Sequence, residues 1–211
     1  MPNHKDRKRL VRTRMAETGE NYTQALSALL SIPELEPVPA PWHVSGTHRA
    51  HYQAGLLPSA STYRGSRVVR LRLRDSVADA VGFGTLMQSI SATRYAGRRV
   101  RFAAALRTHE VSDWAGLWLR VDTASGPHEI DNMHDRPLTQ TTEWQEPSVV
   151  LDIPQEAASL HFGVLLSGAG AVDLAQPRFE TVGADVPVTS TPSPPLPDEP
   201  QALNFGQPAV T

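Results

Sequence analysis

The feature that most constrains this chain is an alternation of apolar and polar side chains that recurs over residues 42–186. Successive side chains of a β-strand point to opposite faces of a sheet, so a period of two predicts strands with a core face and an outer face. Turn residues separate the segments, and roughly eight such strands fit in this region. The pattern therefore predicts a mainly β fold, an antiparallel two-sheet jelly-roll sandwich. The clearest alternating segments begin at Val69, Val100, Leu117, Val149 and Leu160.

Residues 1–32 have a different composition and predict a short basic arm of two helices that precedes the sandwich. Gly19 marks the end of the first helix, and an apolar stripe that includes Leu26 and Leu29 marks the second. Because two short helices bury little surface alone, this stripe also predicts a homodimer. The cations of the arm predict contacts with DNA phosphates, the alternative being a solvated arm without a partner. The candidates for these contacts are Arg7, Lys8, Arg9, Arg12 and Arg14.

Prolines mark the two segments that flank the predicted sandwich. Residues 33–41 contain four prolines and predict an extended linker. Residues 187–211 contain seven prolines with Ser and Thr between them, which predicts a disordered tail. The predicted organisation is therefore an arm (1–32), a linker (33–41), a sandwich (42–186) and a tail (187–211).

Composition removes several classes of function. The chain has no cysteine, which excludes disulfide scaffolds, thiol catalysis and iron–sulfur clusters. Its net charge of −2 at pH 7 is not that of a polycation built for nucleic acid throughout. No apolar run is long enough to cross a bilayer, and no secretory signal follows the basic start. We therefore expect a cytoplasmic protein without membrane contact.

The strand that begins at Leu117 predicts a ligand site on its outer face. Its aliphatic residues take the core face, which leaves Trp118, Arg120 and Asp122 in a row on the other face. An indole beside a guanidinium and a carboxylate can stack on a flat ligand and form hydrogen bonds with its edges. Gln88 and His161, from other alternating segments, are further candidates for this site. The alternative is that Trp118 packs beneath a loop while Arg120 and Asp122 form an ion pair.

Residues 131–137 are a polar segment between two predicted strands, and its candidate ligand contacts are Asn132, Asp135 and Arg136. A calcium site is one alternative, because hard cations prefer several oxygen ligands, but the spacing of an EF-hand loop is absent. The other alternative is a loop that its own Asp and Asn side chains hold through hydrogen bonds to the backbone. We predict no metal and no cofactor.

Most templates for catalysis fail in this chain. No serine lies in a G-x-S-x-G motif, and residues 82–88 lack the third glycine of a phosphate-binding loop. His109 and His128 each precede a glutamate, but neither is followed by the second histidine of a zinc protease. Asp122 and Asp135 remain as a pair of carboxylates for sugar chemistry, provided that they face each other across a cleft. A protein that is not an enzyme is therefore favoured.

Several motifs together resemble one domain family, the galactose-binding-like β-sandwich that is joined to DNA-binding modules in bacterial transcriptional regulators of the AraC type. The likeness spans residues 42–186 and implies the sandwich fold, binding of a sugar or small ligand, and a role in transcription. Residues 12–26 are separately similar to short helix–turn–helix leaders of actinobacterial proteins and to ribbon-helix-helix antitoxins. The motifs of the sandwich are Gly82-Phe-Gly-Thr-Leu-Met-Gln88, Trp114-Ala-Gly-Leu-Trp118-x-Arg120-Val-Asp122, Asp131-Asn132-Met133-x-Asp135-Arg136-Pro137 and Phe162-Gly-Val-Leu-Leu-Ser-Gly168.

Three functions remain open at this point. The first is a non-enzymatic protein that binds a small polar molecule or sugar and passes the signal to DNA or to a partner protein. The second is a carbohydrate-binding module without regulatory output. The third is a sugar-processing enzyme that uses Asp122 and Asp135.

Overall fold

The computed structural model of the chain describes residues 35–77 and 81–190, together with residues 12, 15, 16, 19 and 22. The two long ranges form thirteen strands and one 3-10 turn, Arg49–His51. The prediction of a mainly β fold is therefore confirmed. The strands are β1 (His43–Ser45), β2 (Tyr52–Leu56), β3 (Thr62–Tyr63), β4 (Ser66–Arg67), β5 (Val69–Leu73), β6 (Phe83–Ser91), β7 (Arg99–His109), β8 (Val111–Thr123), β9 (Gly126–Asp131), β10 (Leu138–Gln140), β11 (Ser148–Asp152), β12 (Ala157–Ser167) and β13 (Ala171–Val182).

Two antiparallel sheets pack face to face. The front sheet has the strand order β1–β6–β12–β8–β10, with β9 paired to β8, and the back sheet has the order β11–β7–β13–β5–β2. From β5 to β8, and again from β11 to β13, each strand lies in the sheet opposite to the strand before it. This crossing between sheets produces a jelly-roll sandwich.

The alternating segments supply the core between the two sheets. Their inward-facing residues are almost fully buried, and each such side chain contributes about 1.5–3 kcal/mol through the hydrophobic effect. The ring of Phe162 lies 5.0 Å from that of Phe102 and 4.4 Å from that of Phe179, measured between centroids. These aromatic contacts join the front sheet to the back sheet. Representative buried residues are Leu71, Phe102, Leu119, Leu151 and Phe162.

A second and smaller apolar cluster covers the outer face of the back sheet. Ala105 of β7 and Ala175 of β13 belong to it, and Tyr63 and Trp144 pack against it. Tyr63 comes from the hairpin β3–β4, and Trp144 comes from the segment before β11. The hairpin β3–β4 and the segment before β11 thus cover part of the outer face of the back sheet. On the outer face of the front sheet, by contrast, a cleft is open.

The flanking segments are only partly described. Most of residues 1–32, and all of the tail beyond residue 190, lie outside the described residues, so the two helices and the disordered tail stay predictions. Glu36, in the predicted linker, forms a β-bridge with Leu56. In the predicted tail, the hydroxyl of Thr189 accepts a hydrogen bond from the backbone N–H of Val150 at 2.6 Å. Residues on both sides of 42–186 therefore contact the sandwich.

Candidate functional site

The cleft on the outer face of the front sheet has a volume of about 510 Å³, within the usual range for small-ligand sites. We call it the Trp118 cleft. The alternation along β6, β8 and β12 places side chains here, because the residues between them point into the core. Its lining residues are Ser45, Gly46, Thr47, Phe83, Thr85, Met87, Trp114, Trp118, Arg120, Ile130, Asn132 and Leu165.

Gly163 leaves the middle of this face open. It lies on β12 in register with Met87 on one neighbouring strand and with Trp118 on the other. A Cβ atom at this position would lie 2.1 Å from the carbonyl oxygen of Leu86, so no larger residue fits without moving β6. The floor of the cleft is therefore formed by the flanking side chains and not by a residue at the centre.

Trp118 is only 7% exposed, and its ring forms part of this floor. The indole Nε1–H donates to the hydroxyl of Thr85 at 2.8 Å, and that hydroxyl in turn donates to the carbonyl of Val164 at 2.8 Å. These two bonds fix the orientation of the indole and use its one polar group. Trp118 therefore offers a ligand an apolar ring surface and no hydrogen bond.

Next to the cleft, Arg120 and Asp122 form a bidentate ion pair. Arg120 Nε donates to Asp122 Oδ1 at 2.8 Å, and Arg120 Nη2 donates to Asp122 Oδ2 at 2.9 Å. The Nε2 atom of His161 lies 3.2 Å from Asp122 Oδ2. The ion pair foreseen in the alternative interpretation of Trp118 is thus present beside the cleft, and of these three residues only Arg120 lines it.

Burial lowers the pKa of His161 below its ordinary value of 6.5, and the attraction of Asp122 opposes this only in part. A neutral imidazole carries one proton, and the ionised carboxylate of Asp122 accepts but does not donate. We therefore assign the proton to Nε2, which leaves Nδ1 to accept the hydroxyl proton of Ser89 at 2.8 Å. His161 holds the pair in place from the neighbouring strand.

The predicted loop residues divide between two roles. Asn132 lines the Trp118 cleft, and its Oδ1 accepts the backbone N–H of His134 at 3.2 Å. Arg136 instead donates to Asp131 at 2.6 Å and to Asp135 at 2.8 Å. Because neither Asp135 nor Arg136 lines the cleft, their role in the structure is to hold the loop, as the hydrogen-bonded alternative describes.

The position of Gln88 differs from the prediction that it shares the ligand site with Trp118. It is in register with Phe162 on β12, whose ring is 6% exposed in the core. Directly paired residues lie on the same face of a sheet, so Gln88 lies on the inner side and Trp118 on the outer side. Gln88 is therefore not part of the cleft.

The two carboxylates considered for sugar chemistry, Asp122 and Asp135, lie in different surroundings. Neither Asp122 nor Asp135 lines the Trp118 cleft, and Asp135 lines a smaller neighbouring pocket of about 200 Å³. Both carboxylates are engaged by arginines, Asp122 by Arg120 and Asp135 by Arg136. The expectation that these two carboxylates face each other across the Trp118 cleft is therefore not met.

Sequence reasoning missed the apolar walls of the cleft. Trp114 lies four residues before Trp118 on β8, and Phe83, Thr85 and Met87 alternate along β6. The spacing of Trp114 was a usable signal, since both tryptophans share a strand face. The run from Phe83 to Met87 is apolar on both faces, so its sequence does not indicate which side points outward.

A cluster of charges on the back sheet was also missed. Asp173 of β13 is fully buried, and its carboxylate accepts hydrogen bonds from Arg70 at 2.6 Å, from Arg107 at 2.8 Å and from His109 at 2.8 Å. Burial alone would raise the pKa of Asp173, but the hydrogen bonds and positive charges around it lower the pKa well below its ordinary value. We call these four residues the Asp173 cluster.

Three further predictions concern the basic arm, a metal site and contact with a membrane. Of the basic residues of the arm, only Arg12 is described, and it is exposed. Among the described residues, no group of three His, Cys, Asp or Glu side chains is placed to hold a metal ion. No helix in the same part of the chain has the length and apolar composition to cross a bilayer.

Comparison with known sequences gives one informative relative. No protein-family model matches the chain. A protein of Bacillus subtilis (strain 168) named an uncharacterized HTH-type transcriptional regulator, YbfP, is 38% identical over 166 residues. The match takes in 78% of this chain and 56% of that protein, so the chain spans little more than half of the relative's length. A stretch of this length necessarily includes most of the β-sandwich.

Comparison with solved structures concerns the fold. The enzymatically active domain of tailspike protein 4 from bacteriophage CBA120 has a TM-score of 0.52 and 12% identity, over 68% of this chain and 20% of that chain. At this identity the similarity shows a shared fold alone. The CBM22-1 xylan-binding domain of Paenibacillus barcinonensis Xyn10C has a TM-score of 0.48 and 17% identity, over 71% of this chain and 90% of that chain.

Proposed function

We propose that the Trp118 cleft binds a sugar or a similar polyhydroxylated ring, and that this binding is the sensory step of a transcription-regulatory protein. The observation that carries the proposal is the fixed indole of Trp118 at the floor of an open cleft of about 510 Å³. A sugar ring has an apolar C–H face that stacks on an aromatic surface and polar edges that need hydrogen bonds. The cleft supplies both kinds of contact.

The polar contacts come from two residues at the wall. Arg120 Nη1 and Asn132 Nδ2 form no hydrogen bond with any other described residue, while their remaining polar atoms are engaged. The orientation of each group is fixed by those internal bonds, so little side-chain entropy is lost when a ligand binds. Fixed donors beside a flat apolar floor are suited to a rigid ring of defined stereochemistry.

The regulatory part of the proposal is supported by the name of the Bacillus subtilis relative. In this proposal the sandwich binds the ligand, and the basic residues of the arm contact DNA. The protein acts in the cytoplasm as a homodimer. No catalytic step is part of the proposal, since the carboxylates near the cleft are held by arginines and do not line it.

The binding step is tested at the rim of the cleft. Ile130 lines the cleft and is 52% exposed, so Ile130→Ser removes apolar contact area with little effect on folding. We expect the variant to lose roughly three- to ten-fold in affinity for any sugar that the wild type binds on a glycan array, measured by calorimetry. Val81→Ser is the matched control, because Val81 is 56% exposed and lies outside the cleft.

Absence of binding across the glycan array would refute the sugar assignment. Equal losses of affinity in the two variants would show that the sugar binds elsewhere. In either case the cleft loses its proposed role.

The DNA contact is tested in the arm. A variant with glutamine at five of the six arm cations should lose most of its gel shift with genomic DNA fragments, and the wild-type shift should weaken steeply with salt. The control replaces three exposed arginines of the sandwich, Arg64, Arg67 and Arg178, with glutamine. If the arm variant and the control shift DNA equally, the arm is not the DNA-binding element. The five substituted cations are Arg7, Lys8, Arg9, Arg12 and Arg14.

A further inference from the structure

In the part of the chain that the structure describes, the lining of the Trp118 cleft carries positive but no negative charge. Among the described residues that line it, Arg120 is the only charged one, and none is Asp or Glu. The carboxylate of Asp122, two residues further along β8, is engaged at both oxygens. Its Oδ1 accepts from Arg120 Nε, and its Oδ2 accepts from Arg120 Nη2 and faces His161 Nε2. Three of its roughly four acceptor positions are therefore used, and Asp122 does not line the cleft.

Three uncharged side-chain acceptors around the cleft each accept one internal hydrogen bond. The hydroxyl of Thr85 accepts the indole N–H of Trp118, and the amide oxygen of Asn132 accepts the backbone N–H of His134. The hydroxyl of Thr47 accepts the backbone N–H of Phe83 at 3.2 Å. The side-chain groups that form no hydrogen bond with another described residue are the donors Arg120 Nη1 and Asn132 Nδ2 and the hydroxyl of Ser45, which can donate or accept. A neutral sugar brings hydroxyl groups that must donate as well as accept, and this cleft is poor in partners for their protons.

We propose that the sugar bound in this cleft carries a carboxylate, as a uronic acid does, and that Arg120 is the residue that selects it. The inference rests on the proposed function of the cleft. Asp122 holds the guanidinium along its Nε–Nη2 edge, which leaves the Nη1 side for a second planar acceptor. Arginine is suited to this geometry, because its five donors form a rigid fork that matches carboxylate oxygens.

The local charges sum to zero, so the attraction for a ligand carboxylate comes from the unused Nη1 donors of Arg120 and not from a net positive charge. Arg120 and Asp122 cancel each other, and burial favours the neutral form of His161 by lowering its pKa. A ligand carboxylate on the Nη1 side has the guanidinium between it and Asp122, so the two anions do not meet directly. Asp122 then acts as a positioning residue that keeps the fork of Arg120 in one orientation before the ligand arrives.

The test uses the full chain and pairs of sugars that differ in one group. Disaccharides of galacturonate, glucuronate and mannuronate are each compared with the neutral disaccharide of the same linkage, which has CH₂OH in place of the carboxylate. Affinities are measured by isothermal titration calorimetry at two salt concentrations. We expect at least one acidic sugar to bind ten-fold or more tightly than its neutral partner, with an advantage that shrinks as salt is added.

Variants assign the selectivity to one residue. Arg120→Gln should remove the ten-fold advantage, so that the acidic sugar and its neutral partner bind the variant with similar affinities. Arg120→Lys keeps the charge without the fork and should retain part of the advantage. Arg101→Gln is the matched control, because Arg101 has a similar side-chain exposure and pairs with Glu180 on the back sheet, away from the cleft. Thermal unfolding of each variant verifies that it is folded.

The outcomes separate this inference from the proposed function. If a neutral sugar binds as tightly as its acidic partner or more tightly, the carboxylate assignment is overturned while sugar binding in the cleft stands. If Arg101→Gln lowers the affinity for the acidic sugar as much as Arg120→Gln does, the effect is one of overall charge and Arg120 does not select the ligand. If no sugar of either kind binds, both the inference and the proposed function fail.

Discussion

The two outer faces of the sandwich carry the same three kinds of residue with different consequences. On the front sheet, Trp118 lies beside the pair formed by Arg120 and Asp122. On the back sheet, Arg107 contacts Asp173 and lies with its guanidinium carbon 4.8 Å from the ring centre of Trp144. A tryptophan, an arginine and an aspartate on a non-core face are therefore not by themselves the signature of a binding site.

The difference lies in what covers each face. Trp144 packs against Tyr63, with 4.3 Å between ring centres, and the two rings lie over the alanines of the back sheet. On the front sheet the glycine at position 163 and the internally bonded indole of Trp118 leave an open cleft. On the back sheet, where other residues of the chain cover them, the tryptophan, arginine and aspartate stabilise the fold. On the front sheet, where the face is open, the same three kinds of residue are available to a ligand.

The largest expected effect contrasts the two aspartates. Asp173→Asn leaves Arg70 and Arg107 without a carboxylate, although their side chains are only 18% and 32% exposed, so we expect a loss of about 3–5 kcal/mol in the free energy of unfolding. Asp122→Asn removes a pair whose arginine is 36% exposed, so about 1 kcal/mol is expected. Urea unfolding at pH 7 measures both losses.

Asp152→Asn provides the control for an exposed pair. Asp152 pairs with Arg99 but its side chain is 61% exposed, so the loss should be no larger than for Asp122→Asn. A loss for Asp173→Asn that is no greater than for these two variants would contradict the structural role of the Asp173 cluster, and with it the contrast between the two faces.

The sequence was most informative where the pattern is local. Leu117, Leu119 and Val121 are fully buried, and their spacing correctly places Trp118 and Arg120 on the opposite face. Alternation fixes the face of a strand whenever one of its two sides is clearly apolar and the other clearly polar. The mainly β sandwich follows from five such segments.

The sequence was least informative where distant partners decide burial. Asp173 stands between aliphatic residues of a strand and resembles a solvent-exposed position, yet it is covered by Arg70, which lies 103 residues earlier, and by Arg107, 66 residues earlier. The face of Gln88 was missed for a different reason. Gln88 shares a strand face with Leu86 and Ile90, but the other face of β6 also begins with large apolar residues, Phe83 and Met87, so the pattern does not show clearly which face is the core face. Neither the pairing of strands nor the cover of a face is encoded in a period of two.

The smallest expected effect concerns the histidines of the two faces. His161 shares Asp122 with one arginine, whereas His109 shares Asp173 with two. Because burial lowers the pKa of folded His161 below 6.5, the unfolded chain binds more protons at this residue as the pH falls below that value. The contribution of neutral His161 to the free energy of unfolding is therefore complete above pH 6.5 and is lost as the pH falls through the lowered pKa.

We therefore expect the wild type to lose more stability between pH 7.5 and pH 5.5 than His161→Gln does, as measured by urea unfolding at both pH values. Glutamine keeps a hydrogen-bonding group beside Asp122 but does not titrate, so the difference between the two proteins isolates the imidazole. His128→Gln, which changes an exposed histidine of β9, should follow the wild type. If His161→Gln has the same pH dependence as the wild type, burial does not hold His161 neutral beside Asp122.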